Sequence, residues 1–144
     1  MRECRQRGQA ILEFALVASL LLMLLIGIIA MGFVFSWHQV LNNAAREGAR
    51  AAATGKTDAQ VITDINNMIT ALPGRVTDTD PNPDPTGTRN PDIQISPLQA
   101  SRAVGNPVTV TLIYRADVGV AFGGIIRRNY QLRGTATMRV ERLP

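Results

Sequence analysis

The sequence predicts an α+β protein: a long N-terminal helix that crosses a membrane, then a second helix packed on a small antiparallel β-sheet. Three observations carry this. Residues 14–37 read FALVASLLLMLLIGIIAMGFVFSW without one ionisable side chain. Residues 61–72 show helical periodicity, and residues 108–114 and 131–141 alternate apolar with polar.

At about 1.5 Å per residue, the 24 residues of the apolar run span a hydrocarbon core of roughly 30 Å. A buried helix of a soluble protein rarely stays apolar on every face over such a length. The run is too long for a secretory signal lost at a small-residue cleavage site. Arg2, Arg5 and Arg7 precede it against a single Glu3, so the positive-inside bias keeps the N-terminus in the cytoplasm and exports the C-terminal part.

Composition narrows the chemistry. The 144 residues carry a formal charge of +4, yet the basic residues are spread from Arg2 to Arg142 without a dense cluster, so no nucleic-acid surface is expected. Cys4 and His38 are single, which removes disulfides within the chain, cysteine metal clusters and most triad chemistry. No paired carboxylates converge and no GxGxxG follows a strand, so neither an enzyme nor a bound cofactor is expected.

Glu13 stands at the entrance of the apolar helix, where an acidic group is costly unless it has a partner, a task, or a place among the headgroups. A cut between Gly8 and Gln9 would put a new α-amino group four residues before it, about one helical turn away. Cation and carboxylate would then neutralise each other, within one chain or between neighbours.

The segment Gly8-Gln9-Ala10-Ile11-Leu12-Glu13-Phe14 resembles the class III leader of type IV pilin-like proteins: a short basic leader, Gly at the cut, Glu at the fifth mature position, an aromatic, then the apolar helix. More closely, RGQAILEFALVASLLLMLLIGIIAMG followed by NNAAREGARAAATG resembles the TadE-like family, minor pilins of tight-adherence pilus systems. The ending TATMRVE, residues 135–141, is similar to that family's last strand. Ser19 stands where many members have Pro, and Ala30 where many have an acidic residue.

The resemblance implies a type IV pilin-like fold in three parts. Residues 1–8 are a leader removed after Gly8 by a membrane-embedded prepilin peptidase, residues 9–55 a long helix, and residues 56–144 an exported domain. It implies a minor pilin or pseudopilin of the cytoplasmic membrane, single-pass, entering a surface pilus. Its partners are other pilins, the assembly platform and membrane lipid, with Glu13 and Phe14 serving assembly. Loss of the leader leaves 12 Lys and Arg, 10 Asp and Glu and no cysteine. Two alternatives share the apolar helix: a type II secretion pseudopilin, and an uncleaved signal-anchored binding protein.

Each downstream element has its own signal. Ala44, Ala45, Gly48, Ala49, Ala52 and Ala53 give the first helix a small-residue face suited to its own domain's core, and Gly55 is its expected C-cap. Thr57 and Gln60 have capping-box spacing, with Val61, Ile62, Ile65, Met68, Ile69 and Leu72 forming the stripe of a second helix that Pro73-Gly74 stops. Residues 75–92 hold four prolines among aspartates and read as an extended, solvated loop. Asp78, Asp80, Asn82 and Asp84 set oxygen ligands at alternate positions, a weak calcium pattern that lacks the EF-hand's Gly and Glu continuation.

Residues 93–96 are an expected edge strand. Val108, Val110, Leu112 and Tyr114 form one apolar face, and Leu132, Ala136, Met138 and Val140 another. Residues 118–126, apolar for a connection and followed by Arg127-Arg128, are expected to cover the domain's own core.

Overall fold

The computed structural model describes residues 2–84, 88–117 and 129–143, and the side chains of these apart from 2–10, 117 and 129. The apolar connection at 118–126 lies outside the described residues. The chain is α+β: α1 (Arg2–Ala53), α2 (Asp58–Met68), β1 (Asp92–Ser96), a 3₁₀ turn (Gln99–Ser101), β2 (Pro107–Asp117) and β3 (Asn129–Arg139). It divides into two compact units, residues 1–34 and 35–144.

The first unit is helix alone. Beyond Glu13, its described side chains are apolar on all faces, and none from Ile11 onward is buried. Ser19 is an exception to the apolar chemistry, and its hydroxyl donates to the Leu16 carbonyl one turn back at 2.8 Å, which spares it an unpaired polar group.

The second unit builds its core on the part of α1 that follows. Trp37, Leu41, Ala44, Ala45, Ala49 and Ala52 are buried, so the small-residue face packs into its own domain. The sequence Lys56-Thr57 then turns the chain back. Gly55 adopts φ +94°, a left-handed conformation that glycine takes without strain. The Lys56 N–H donates to the Ala51 carbonyl at 3.1 Å, the 6→1 bond of a Schellman ending.

α2 opens with the capping box read from the sequence: Thr57 accepts from the Gln60 N–H, and the Gln60 side chain accepts from the Thr57 N–H. Its end differs from expectation. The helix stops at Met68, four residues short of Leu72, and the chain tightens into a turn whose Leu72 N–H donates to the Ile69 carbonyl. That i→i+3 turn rotates Leu72 into the core along with Ile69, while Met68 is left 44% exposed.

The sheet order is β1-β2-β3, both pairs antiparallel, with Ile93 opposite Leu112, Ile95 opposite Val110 and Gly134 opposite Leu112. Period-2 geometry puts Ile93, Ile95, Val108, Val110, Leu112 and Tyr114 on the covered face, and all are buried. Tyr114 meets Trp37 edge-on at a centroid distance of 6.2 Å, and its hydroxyl donates to the Pro73 carbonyl. Burial pushes this phenol up to about 12.

β3 keeps the alternation but not the coverage. Of Leu132, Ala136, Met138 and Val140, only Val140 is buried; Leu132 and Ala136 are partly covered and Met138 is exposed. The reason is that β3 ends the sheet, and among the described residues no strand lies beside it to complete the cover. A Cβ on Gly134 would come within 2.8 Å of the Leu41 carbonyl carbon and oxygen, and one on Gly48 within 2.6 Å of Ile65 Cδ1.

These two glycines are expected to respond differently to alanine. Gly134→Ala drives a methyl into helix backbone and should cost on the order of 2–3 kcal/mol. Gly48→Ala meets the movable end of Ile65 and gains about 1 kcal/mol of helix propensity, so it should fall well short of that loss. Denaturant unfolding of both variants measures the difference; equal losses would show that α1 does not depend on the close approach at Gly134.

Candidate functional site

Three places carry functional expectations: the N-terminal turn of α1, the apolar stretch behind it, and the aspartate loop. Gly8 and Gln9 lie within α1 by their main chain, and their side chains are outside the described residues. Gln9 and Glu13 are four apart in one helix and therefore share a face. Glu13 is exposed, as is Phe14 at 74%.

Behind them, α1 has a stretch long and apolar enough to cross a membrane, with none of its most apolar window buried. The run's last residue, Trp37, is 7% exposed and belongs to the core of the second unit. His38 Nδ1 lies 3.1 Å from Asn42 Nδ2 on the next turn.

The aspartate loop is more built than its composition suggests. Asp78 is fully buried and Asp84 nearly so. Asp78 accepts from the Ile93 N–H at 2.7 Å and the Asp80 N–H at 3.1 Å. Asp80 accepts from both the backbone and side-chain amides of Asn82. The expected solvated loop is thus a hydrogen-bonded knot against β1, because the outward-facing N–H groups of that strand need acceptors. Pro81 supplies a second one, its carbonyl accepting from the Ile95 N–H at 3.0 Å.

Arg89 is the centre of the knot. Its guanidinium lies 3.0 Å from Asp78, 3.7 Å from Asp80 and 3.9 Å from Asp84, and it donates to the Asp80 carbonyl. Its N–H donates to Asp84 at 2.7 Å, and its carbonyl accepts from Arg115. Partial burial works against the charge, but the hydrogen bond and attraction from Asp78, with help from Asp92 and Asp80, hold the Arg89 pKa above its ordinary value.

In this arrangement the oxygens of the calcium pattern have other partners. A guanidinium stands where Asp78, Asp80 and Asp84 would share a cation, and Asn82 spends its amide on Asp80. Among the described residues no group of three or more His, Cys, Asp or Glu is arranged to hold a metal ion. The signal for Arg89 was present, an arginine just beyond four alternating oxygen donors, but no spacing rule links it to them.

A second ion pair was also not foreseen. Arg102, with its side chain wholly buried, donates to Asp58 at the start of α2 and to the carbonyls of Lys56 and Pro97. Asp58 also accepts from the Gln99 N–H, and the Gln99 side-chain carbonyl accepts from the Asp58 N–H. A carboxylate at a helix N-terminus is favoured by the helix dipole, so this clamp fixes where α2 begins.

Residues 8–50 match the family model described as TadE-like protein, the family that the leader and apolar helix resemble, and the match connects the chain to tight-adherence pilus systems. It takes in Gly8, Glu13, Phe14 and the apolar stretch together and stops short of α2. No curated protein and no solved structure matches the chain. A single N-terminal apolar helix is consistent with a membrane anchor in a pilus-related protein.

Removing Arg89 tests the knot. Arg89→Ala leaves buried Asp78 without its cation and should lower stability at pH 7 by about 3 kcal/mol, with added calcium giving no rescue. Asn82's backbone and side-chain amides, followed by Arg89, hold the Asp80 carboxyl below its ordinary value. Its contribution is therefore fully present above the usual carboxylate pKa and is lost as pH falls through the lowered one. Urea unfolding of the wild type between pH 7 and pH 2 should show stability falling toward acid; calcium rescue of Arg89→Ala would reinstate the cation reading.

Proposed function

We propose that the chain is a minor pilin or pseudopilin that a prepilin peptidase cuts after Gly8 and that then takes part in assembling a tight-adherence pilus. The observation that carries this is the family match over residues 8–50, because it joins the leader, Glu13 and the apolar helix in one pattern. Cleavage needs close approach to the backbone, and Gly8 offers no side chain to obstruct the peptidase. The cut removes Arg2, Arg5 and Arg7, so the shortened helix can leave the membrane without drawing arginines through lipid.

The new α-amino group on Gln9 then lies one turn from Glu13. Their neutralisation lowers the cost of holding both in an apolar bundle of neighbouring helices. The all-round apolar surface of the first unit serves as anchor before assembly and as packing surface after it. In this reading the chain sits in the cytoplasmic membrane with residues 35–144 exported, its partners are the peptidase, other pilins and the assembly platform, and it performs no reaction of its own.

Expression with and without a prepilin peptidase, followed by the intact mass of the full chain, tests the proposal. Processing should yield Gln9 as first residue, and a bulky residue at Gly8 should abolish it. An N-terminus that stays intact with active peptidase present would instead favour an uncleaved, signal-anchored binding protein. Glu13→Ala should insert normally but enter filaments poorly; unchanged piliation where the subunit is required would remove Glu13 from assembly.

A further inference from the structure

The two edges of the sheet are treated differently. On β1, the N–H groups of Ile93 and Ile95 that face away from β2 are taken by Asp78 and by the Pro81 carbonyl. β3 has no such cover among the described residues. Val140 directs its N–H to the Asn106 carbonyl and accepts from Gly105, and main-chain direction alternates along a strand. The backbone groups of Gln131, Arg133, Thr135, Thr137 and Arg139 therefore point out of the sheet, and all five residues are exposed.

An open edge of eleven residues is a template for another strand. The side chains along it state what that strand must be. On the outer face, Arg133 and Arg139 stand six residues apart with Thr135 and Thr137 between them. On the covered face, Leu132 and Ala136 are only partly buried and Met138 is 36% exposed, so apolar area waits for a neighbour on that side.

A second copy does not fit. β3 runs along α1 in the same sense, with Gly134 against Leu41 and the Glu141 N–H donating to the Ala53 carbonyl. Two copies paired through their β3 edges would bring Arg133 and Arg139 of one alongside the same arginines of the other, and like charges set opposite each other are unfavourable. A neighbour's β1 edge is already occupied by Asp78 and Pro81.

We infer that the β3 edge is a docking site for an extended, acidic, amphipathic segment of a different polypeptide, added antiparallel as a fourth strand. Its main chain pairs with Gln131, Arg133, Thr135, Thr137 and Arg139. Carboxylates six residues apart face Arg133 and Arg139, and the alternate apolar side chains cover Leu132, Ala136 and Met138. The edge and its chemistry stand whether or not the leader is cut.

The probe is a seven-residue peptide with aspartate at both ends and alternating valine and threonine between them, titrated onto the full chain in detergent micelles by fluorescence anisotropy. Saturable binding is expected. A Thr135→Pro variant removes one outward N–H without touching the β2 ladder and should weaken binding at least about tenfold. The double variant Arg133→Glu, Arg139→Glu should do the same while its melting temperature stays near that of the wild type. Equal binding of a scrambled peptide, undiminished binding to the Thr135→Pro variant, or no binding to the wild type would each overturn the proposal. So would self-association that Thr135→Pro abolishes, since the edge would then belong to a second copy. None of these outcomes depends on prepilin processing, which the N-terminal mass reads separately.

Discussion

The folded unit depends on how closely the main chain of α1 approaches β3. Gly134 leaves no room for a Cβ between strand and helix, and the approach there sets the depth at which Leu41 and Trp37 enter the core. Once α1 is that close, the alanines at 44, 45, 49 and 52 are the largest side chains that fit along much of its inner face, and all are buried. Gly48 repeats the device where α2 crosses, letting Ile65 reach over the helix toward Val110. A small domain has little apolar area to spend, so close packing of backbone against backbone replaces bulky side chains as the source of dispersion contact.

From that approach the remaining elements follow. α2 is held at its start by the Arg102–Asp58 pair and the Thr57 cap, and at its end by the turn that folds Leu72 inward. The aspartate loop then closes the β1 edge with its own oxygens, and Arg89 compensates the charge that this concentrates. One edge of the sheet is thereby finished within the chain and the other is left open. In an assembling protein that asymmetry gives one side of the domain to solvent and offers the other for pairing.

The function-bearing parts divide along the same line. The segment that the family model covers is almost entirely α1, where the chemistry is that of a membrane helix with one carboxylate near its start. The domain from α2 onward carries its own logic of caps, clamps and edges. The family match and the apolar stretch thus belong to one part of the chain, and the open sheet edge to the other.

What the sequence determined by itself was whatever depends on neighbours along the chain. The apolar run, the capping box at Thr57, the left-handed Gly55 and the period-2 strands are local, because hydrogen-bond geometry and side-chain periodicity act over a few residues. The pattern that the family model matches from Gly8 through Glu13 is local too, a short run on one helix. Tertiary structure alone decided what depends on residues far apart. Arg89 becomes the partner of Asp78 only when the loop folds against β1, and Gly134 becomes a packing contact only when Leu41 arrives. Met138 is exposed although its strand pattern marks it as inward, because β3 is the last strand and among the described residues no neighbour completes the cover beside it. Periodicity says which way a side chain points; whether anything meets it there is settled by the path of the rest of the chain.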